Sequence, residues 1–124
     1  MISQQQWAAI ILFTSGIAIA WGIQQLIGYR WFHARPWVVN ASVQPTIHPS
    51  QYSKSFPSDH AAISFATATV SFLWFPRYAV IFLALALVIA LSRVLVGVHR
   101  FVDVITGAFV GTGVVLFIHR VMSL

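Results

Sequence analysis

Apolar residues fall in four long blocks along this chain, separated by brief polar interruptions and one long polar loop. The first block, residues 7–28, carries no charge, and only Gln24 and Gln25 are polar near its end. At 1.5 Å of rise per residue such a helix reaches roughly 33 Å, enough to cross the hydrocarbon layer of a bilayer. Its length, and the lack of a basic stretch ahead of it, argue against a cleaved signal peptide. The second block, residues 58–75, is rich in small side chains, among them Ala61, Ala62, Ser64, Ala66, Thr67 and Ala68. Such residues let helices approach closely, so this span is expected inside a bundle. Pro76 and Arg77 then break the chain in a tight turn. The third block, residues 78–96, is almost wholly aliphatic and is expected to face lipid in part. The fourth, residues 99–118, offers Gly107, Gly111 and Gly113 as close-packing positions, the first two in a small-xxx-small pattern.

Between the first two blocks lies the loop, residues 29–57, which holds four of the five prolines and Lys54. That much punctuation leaves no room for a long helix. Its Trp31, Trp37 and Tyr52 are side chains suited to the headgroup level. The expectation is an all-α polytopic membrane bundle of about four transmembrane helices, forming a single domain over residues 1–124. With four spans, the loop and the His99 region share one membrane face, and the termini and Arg77 share the other.

Composition agrees with this picture. The chain is 59% hydrophobic and 7% charged, with a mean hydropathy of +0.84, whereas soluble domains carry about 25% charged residues. It has no cysteine, which excludes disulfides and thiolate metal sites. A net charge of +5 points to an anionic partner. The basic residues form no stripe, so lipid headgroups fit better than nucleic acid.

The chemistry lies in the polar interruptions. The two acidic residues both sit in short clusters: Asp59 in Phe56-Pro57-Ser58-Asp59-His60, and Asp103 at the end of Ser92-Arg93-x5-His99-x3-Asp103. Ionisable groups near lipid each cost roughly 2.5–3.5 kcal/mol at a helix centre, so they call for a purpose. An anion site supplies one. Ser58 suits the N-cap of the second helix, whose first turn would present free N–H groups and a positive dipole end to an anion. His60 projects from that turn. Arg35, in Arg35-Pro36, and Arg93 can add forked donors matched to phosphate oxygens. His99 and Asp103 are four apart and share a helix face. Asp103 could accept the Nδ1 proton of His99 and leave Nε2 free as nucleophile or base.

Together these clusters resemble the signature of the type 2 phosphatidic acid phosphatase superfamily, over roughly residues 28–115. Its third part is complete in Ser92, Arg93, His99 and Asp103. Its second, Pro-Ser-Gly-His, is matched by Pro57-Ser58-Asp59-His60, with Asp59 in the Gly place. That variant, and the whole run Ser55 to Ala61, is similar to bacterial undecaprenyl-diphosphatases of the bacitracin-resistance type. Arg35-Pro36 matches the first part. The resemblance implies that His99 attacks phosphorus to form a phosphohistidine and that Asp103 orients it. It implies that His60 protonates the leaving oxygen and then activates water. Arg35, Arg93, Ser58, Ser92 and the Asp59 amide would hold the phosphoryl oxygens, with neither metal nor cofactor required. The favoured substrate is undecaprenyl diphosphate, at the extracytoplasmic face of the plasma membrane. Phosphatidate or phosphatidylglycerol phosphate are alternatives, as is a binding-only remnant of low activity.

Two departures accompany the resemblance. The family's first motif has a Lys where this chain has Gly28, and the nearest base is Arg30. Either Arg30 reaches the phosphate or one positive contact is missing. The family also usually carries two further helices ahead of the first block, so a minimal form or a shortened product is expected. The remaining polar residues read blandly. His33, His48 and His119 are expected to be ordinary packed or surface side chains, and Ser92 could equally bond back within its own helix. Lys54, Arg100 and Arg120 read as interfacial anchors, and Arg77 as a topology signal.

Overall fold

The computed structural model describes residues 1–123 and is helical throughout its regular structure. Helix α1 spans Gln4–Arg30, α2 is a single turn at Pro36–Val39, α3 spans Asp59–Trp74, α4 Ala79–Leu95 and α5 Phe101–Met122. A 3₁₀ turn at Pro76–Tyr78 joins α3 to α4. Each boundary has a local cause. Ser3 caps α1 in a reciprocal box with Gln6, and the Ser58 Oγ accepts from the Ala61 N–H at the start of α3. Pro76 stops α3 one residue after its C-cap, Phe75.

Helix α3 is the hub and packs on α1, α4 and α5, while α1 also packs on α5. Its small residues explain this position, as expected: Ala61, Ala62 and Ala66 are almost fully buried. One core cluster joins Leu12 of α1, Ala66 and Val70 of α3, and Val115 of α5; a second joins Ala61, Ala90 and Val104 nearer the loop. The α3–α5 seam is unusually close. A Cβ at Gly107 would run into the Ser58 carbonyl oxygen, and one at Gly111 would run into the Ala62 carbonyl. Gly113, also expected as a packing position, instead faces open space, because a two-residue step from Gly111 turns it off the seam.

Among the described residues, three stretches are long and apolar enough to cross a membrane: Gln4–Arg30, Pro76–Leu95 and Phe101–Met122. Helix α3, with 16 residues, is shorter than these three and lies buried among them, running antiparallel to α1 and α4. Helix α4 buries only Ala86 and Ala90, and Val80, Val88 and Leu95 stand out from it, the pattern of a lipid-facing element.

The chain alternates direction, so the end of α1, the start of α3, the end of α4 and the start of α5 meet at one end of the bundle. The loop of residues 29–57 closes over that end. The Thr46 N–H donates to the Val96 carbonyl at 3.0 Å, and the Arg35 guanidinium donates to the Val98 carbonyl at 3.0 Å. Gly97 turns the chain with φ +78 directly beneath Pro45, whose Cα is 3.3 Å from where a Cβ would stand.

Candidate active site

At the end covered by the loop, His99 sits just ahead of α5, buried, with its backbone N–H held by the Arg93 carbonyl at 3.1 Å. Its Nδ1 lies 3.5 Å from Asp103 Oδ2, an ion-pair separation and longer than a formed hydrogen bond. Its Nε2 lies 3.2 Å from an Arg35 terminal nitrogen. A guanidinium has donors only. Contact with it therefore turns the Nε2 lone pair towards Arg35 and leaves the ring proton on Nδ1, facing Asp103. This is the tautomer in which Nε2 can act as a nucleophile or base.

Asp103 is fully buried, and its position is over-determined. Oδ2 accepts from Ser55 Oγ at 2.5 Å and from the Arg100 N–H at 2.8 Å. The Asp103 carbonyl accepts the Ser58 N–H at 2.9 Å, which ties the first turn of α5 to the cap of α3. Arg35 is braced by Ser53, whose Oγ accepts from Nε at 3.3 Å and from Nη2 at 3.2 Å. Burial pulls the Arg35 guanidinium below its ordinary value, while Asp103 and Asp59 push the other way. It stays charged at neutral pH. Arg93, in the last turn of α4, has its Nε buried without a hydrogen-bond partner.

Ser58 is buried as the N-cap of α3, so the first-turn amides point to the same end. His60, the second residue of α3, is exposed. With Ile63, Thr67, Phe82, Leu85 and Ile89 it lines a cavity of about 320 Å³ between α3 and α4. Thr67 and Phe82 also line a second, larger groove of about 780 Å³ that runs towards the other end of the bundle. His60 thus stands where the polar end meets an apolar path.

The structure therefore brings together Arg35, Ser58, Asp59, His99 and Asp103, with His60 and Arg93 on the helix ends beside them. Two expected residues are elsewhere. Ser92 bonds back to the Ile89 carbonyl at 2.7 Å, the alternative that helix geometry always offers a serine. Arg30, at the exposed end of α1, makes no side-chain hydrogen bond among the described residues. Three contributors were not foreseen. Lys54, read as an interfacial anchor, is instead drawn inward to an ion pair with Asp59 at 2.7 Å. Its stem passes over Gly28, where the family resemblance implies a Lys. Gln25 donates to the other Asp59 oxygen at 3.3 Å, and Ser55 holds Asp103. The only sequence signal for Ser55 was its place in the run ending in Ser58-Asp59-His60. Among the described residues, no three His, Cys, Asp or Glu side chains converge as metal ligands would.

Comparisons with known proteins identify relatives of the chain. The family model described as the PAP2 superfamily matches residues 8–124. An Escherichia coli K12 protein, YbjG, whose name assigns it provisionally as an undecaprenyl-diphosphatase, is 31% identical over 103 residues, 82% of this chain and 51% of that protein. The bacitracin transport permease protein BcrC of Bacillus licheniformis is 28% identical over 109 residues, 88% of this chain and 53% of BcrC. The chain thus spans about half the length of the curated relatives it matches. The crystal structure of a Bacillus subtilis transmembrane PAP2-type phosphatidylglycerolphosphate phosphatase shares the fold, with a TM-score of 0.62 at 21% identity, covering 98% of this chain and 60% of that one.

Proposed function

Because the chain belongs to the PAP2 superfamily, we propose that it is a lipid phosphatase that removes a terminal phosphate from a membrane lipid phosphate or diphosphate. The favoured substrate is undecaprenyl diphosphate, returned as undecaprenyl phosphate. The line Asp103–His99–Arg35 carries this reading, since it sets a nucleophilic nitrogen directly against a cation suited to phosphate oxygens.

In the first step His99 Nε2 forms a bond to phosphorus as the bond to the leaving oxygen breaks, and His60 gives that oxygen its proton. In the second, His60 takes a proton from water, and the water oxygen displaces the histidine to release inorganic phosphate. Asp103 holds the imidazole and offsets the charge that grows on it. Arg35, Arg93 and the α3 N-terminus with Ser58 and the Asp59 amide stabilise the phosphoryl oxygens, so the reaction needs no metal.

A lipid leaving group is supported by the apolar path that begins at His60. An undecaprenyl chain in particular is supported by the Ser58-Asp59-His60 variant and by the printed name of the relative YbjG. The same reading puts the site at the extracytoplasmic face of the plasma membrane.

The test is phosphate release from undecaprenyl diphosphate by detergent-purified protein in EDTA, beside His99→Ala. Release that EDTA spares and His99→Ala abolishes is the expected result, with acid-labile phosphate trapped on the wild type alone. A substrate panel including phosphatidate and phosphatidylglycerol phosphate ranks the headgroups. Folded wild-type protein that releases nothing from any of them would overturn the hydrolase reading.

A further inference from the structure

Lys54 belongs to none of the motifs, yet it is held as firmly as the residues that do. Its side chain is 14% exposed, and its Nζ bonds Asp59 Oδ1 at 2.7 Å and the Pro57 carbonyl at 3.0 Å. Asp59 is the first residue of α3 and its only first-turn acid. A carboxylate there favours the helix dipole but competes with any anion that the same helix end would bind. The ammonium of Lys54 and the amide of Gln25 occupy both Asp59 oxygens, so the competing charge is cancelled on the spot.

The reach of Lys54 depends on a third segment. Gly28 is buried near the end of α1, and a Cβ there would run into Lys54 Cδ while lying 3.1 Å from both Lys54 Cε and the Phe56 carbonyl. Only a bare backbone at position 28 leaves the lane open. Gly28, Lys54 and Asp59, from α1, the loop and α3, therefore work as one device.

We propose that Lys54, admitted by Gly28, is a positioning residue for the phosphate site: it neutralises Asp59 and pins Pro57, so the start of α3 keeps the positive field that an anionic headgroup needs. This rests on the phosphatase reading for the identity of the anion.

The experiment uses the purified chain in detergent with two readouts. One is kcat and KM on undecaprenyl diphosphate. The other is affinity for orthovanadate, followed by its effect on the thermal unfolding midpoint, which needs no turnover. Lys54→Ala is expected to raise KM and weaken vanadate binding about tenfold, with kcat within about twofold. Gly28→Ala should reproduce that loss by evicting the stem, and Lys54→Arg should retain affinity. Adding Asp59→Asn to Lys54→Ala should recover most of the affinity, because no carboxylate is left to cancel. A purely structural role for Lys54 would give no such rescue. If Lys54→Ala does not fold, Lys54→Met keeps the stem and removes only the charge.

Unchanged vanadate affinity in the lysine variants, or a double variant no better than Lys54→Ala, overturns the proposal. So does a wild type without vanadate affinity. A wild type that binds vanadate but hydrolyses no lipid counts against the phosphatase reading alone, and the affinity series still decides the role of Lys54.

Discussion

Asp103 shows how a single carboxylate can be set by residues far from it in the chain. Its Oδ2 is shared by Ser55, 48 positions away, by the Arg100 amide and by the His99 ring. Ser55→Ala removes one donor and leaves the Arg100 amide in place, so turnover is expected to fall about tenfold, the lower end of what one hydrogen bond to a charged group contributes, with KM little changed. Asp103→Asn removes the negative charge that fixes the His99 tautomer, and kcat is expected to fall about a hundredfold or more, again with little change in KM. Steady-state kinetics on both variants checks the order; an Asp103→Asn enzyme with wild-type kcat would remove Asp103 from the mechanism. The His99–Asp103 pair was legible in the sequence from its spacing of four, although α5 begins only at Phe101, so His99 reaches Asp103 from the turn ahead of the helix and not from a shared helix face. Ser55, Lys54 and Gln25 were not, since their partners are met only when the loop folds back over the helix ends. Arg30 misled for the converse reason: nearness in sequence to Gly28 did not bring it into the cluster.

The α3–α5 seam is where an element-scale pattern became a contact. The small residues of the second block correctly marked α3 as interior, and Gly107-x-x-x-Gly111 correctly marked the face of α5 that meets it. The pattern could not say that the opposing atoms are backbone carbonyls, which cannot swing aside as side chains can. Gly111→Ala is therefore expected to cost about 1–3 kcal/mol, as over-packing does, and to lower the unfolding midpoint. Gly107→Ala strikes the Ser58 carbonyl, part of the α3 cap, and should cost activity as well as stability. Gly113→Ala meets nothing within 4 Å and gains helix propensity, so it should be neutral or stabilising by up to about 1 kcal/mol. Thermal unfolding of the three in one detergent gives the ranking, and equal midpoints would show that the seam is looser than described. The ends of this element were legible too: the block read at residues 58–75 is the helix Asp59–Trp74 with its two caps, Ser58 and Phe75, bounded by the prolines at 57 and 76.

At the scale of the whole molecule, the packing alters what the charges say about orientation. Five basic residues lie at the site end, Arg30, Arg35, Lys54, Arg93 and Arg100, against Arg77 and Arg120 at the other. A literal count would turn the site towards the cytoplasm. Arg35 and Arg93 are assigned to the proposed anion site, and Lys54 is spent on Asp59. Arg30 and Arg100 then balance Arg77 and Arg120, two against two, and the charge rule has no vote. The extracytoplasmic placement therefore rests on the proposed substrate, and labelling decides it directly. The chain has no cysteine, so single substitutions report cleanly. Tyr52 is 83% exposed in the loop over the site, and Arg77 is exposed in the turn at the opposite end. A membrane-impermeant maleimide on intact cells or spheroplasts is expected to label Tyr52→Cys and to spare Arg77→Cys until the membrane is opened. The reverse pattern would put the site in the cytoplasm, and the lipid phosphate it meets would then have to be presented from the inner leaflet.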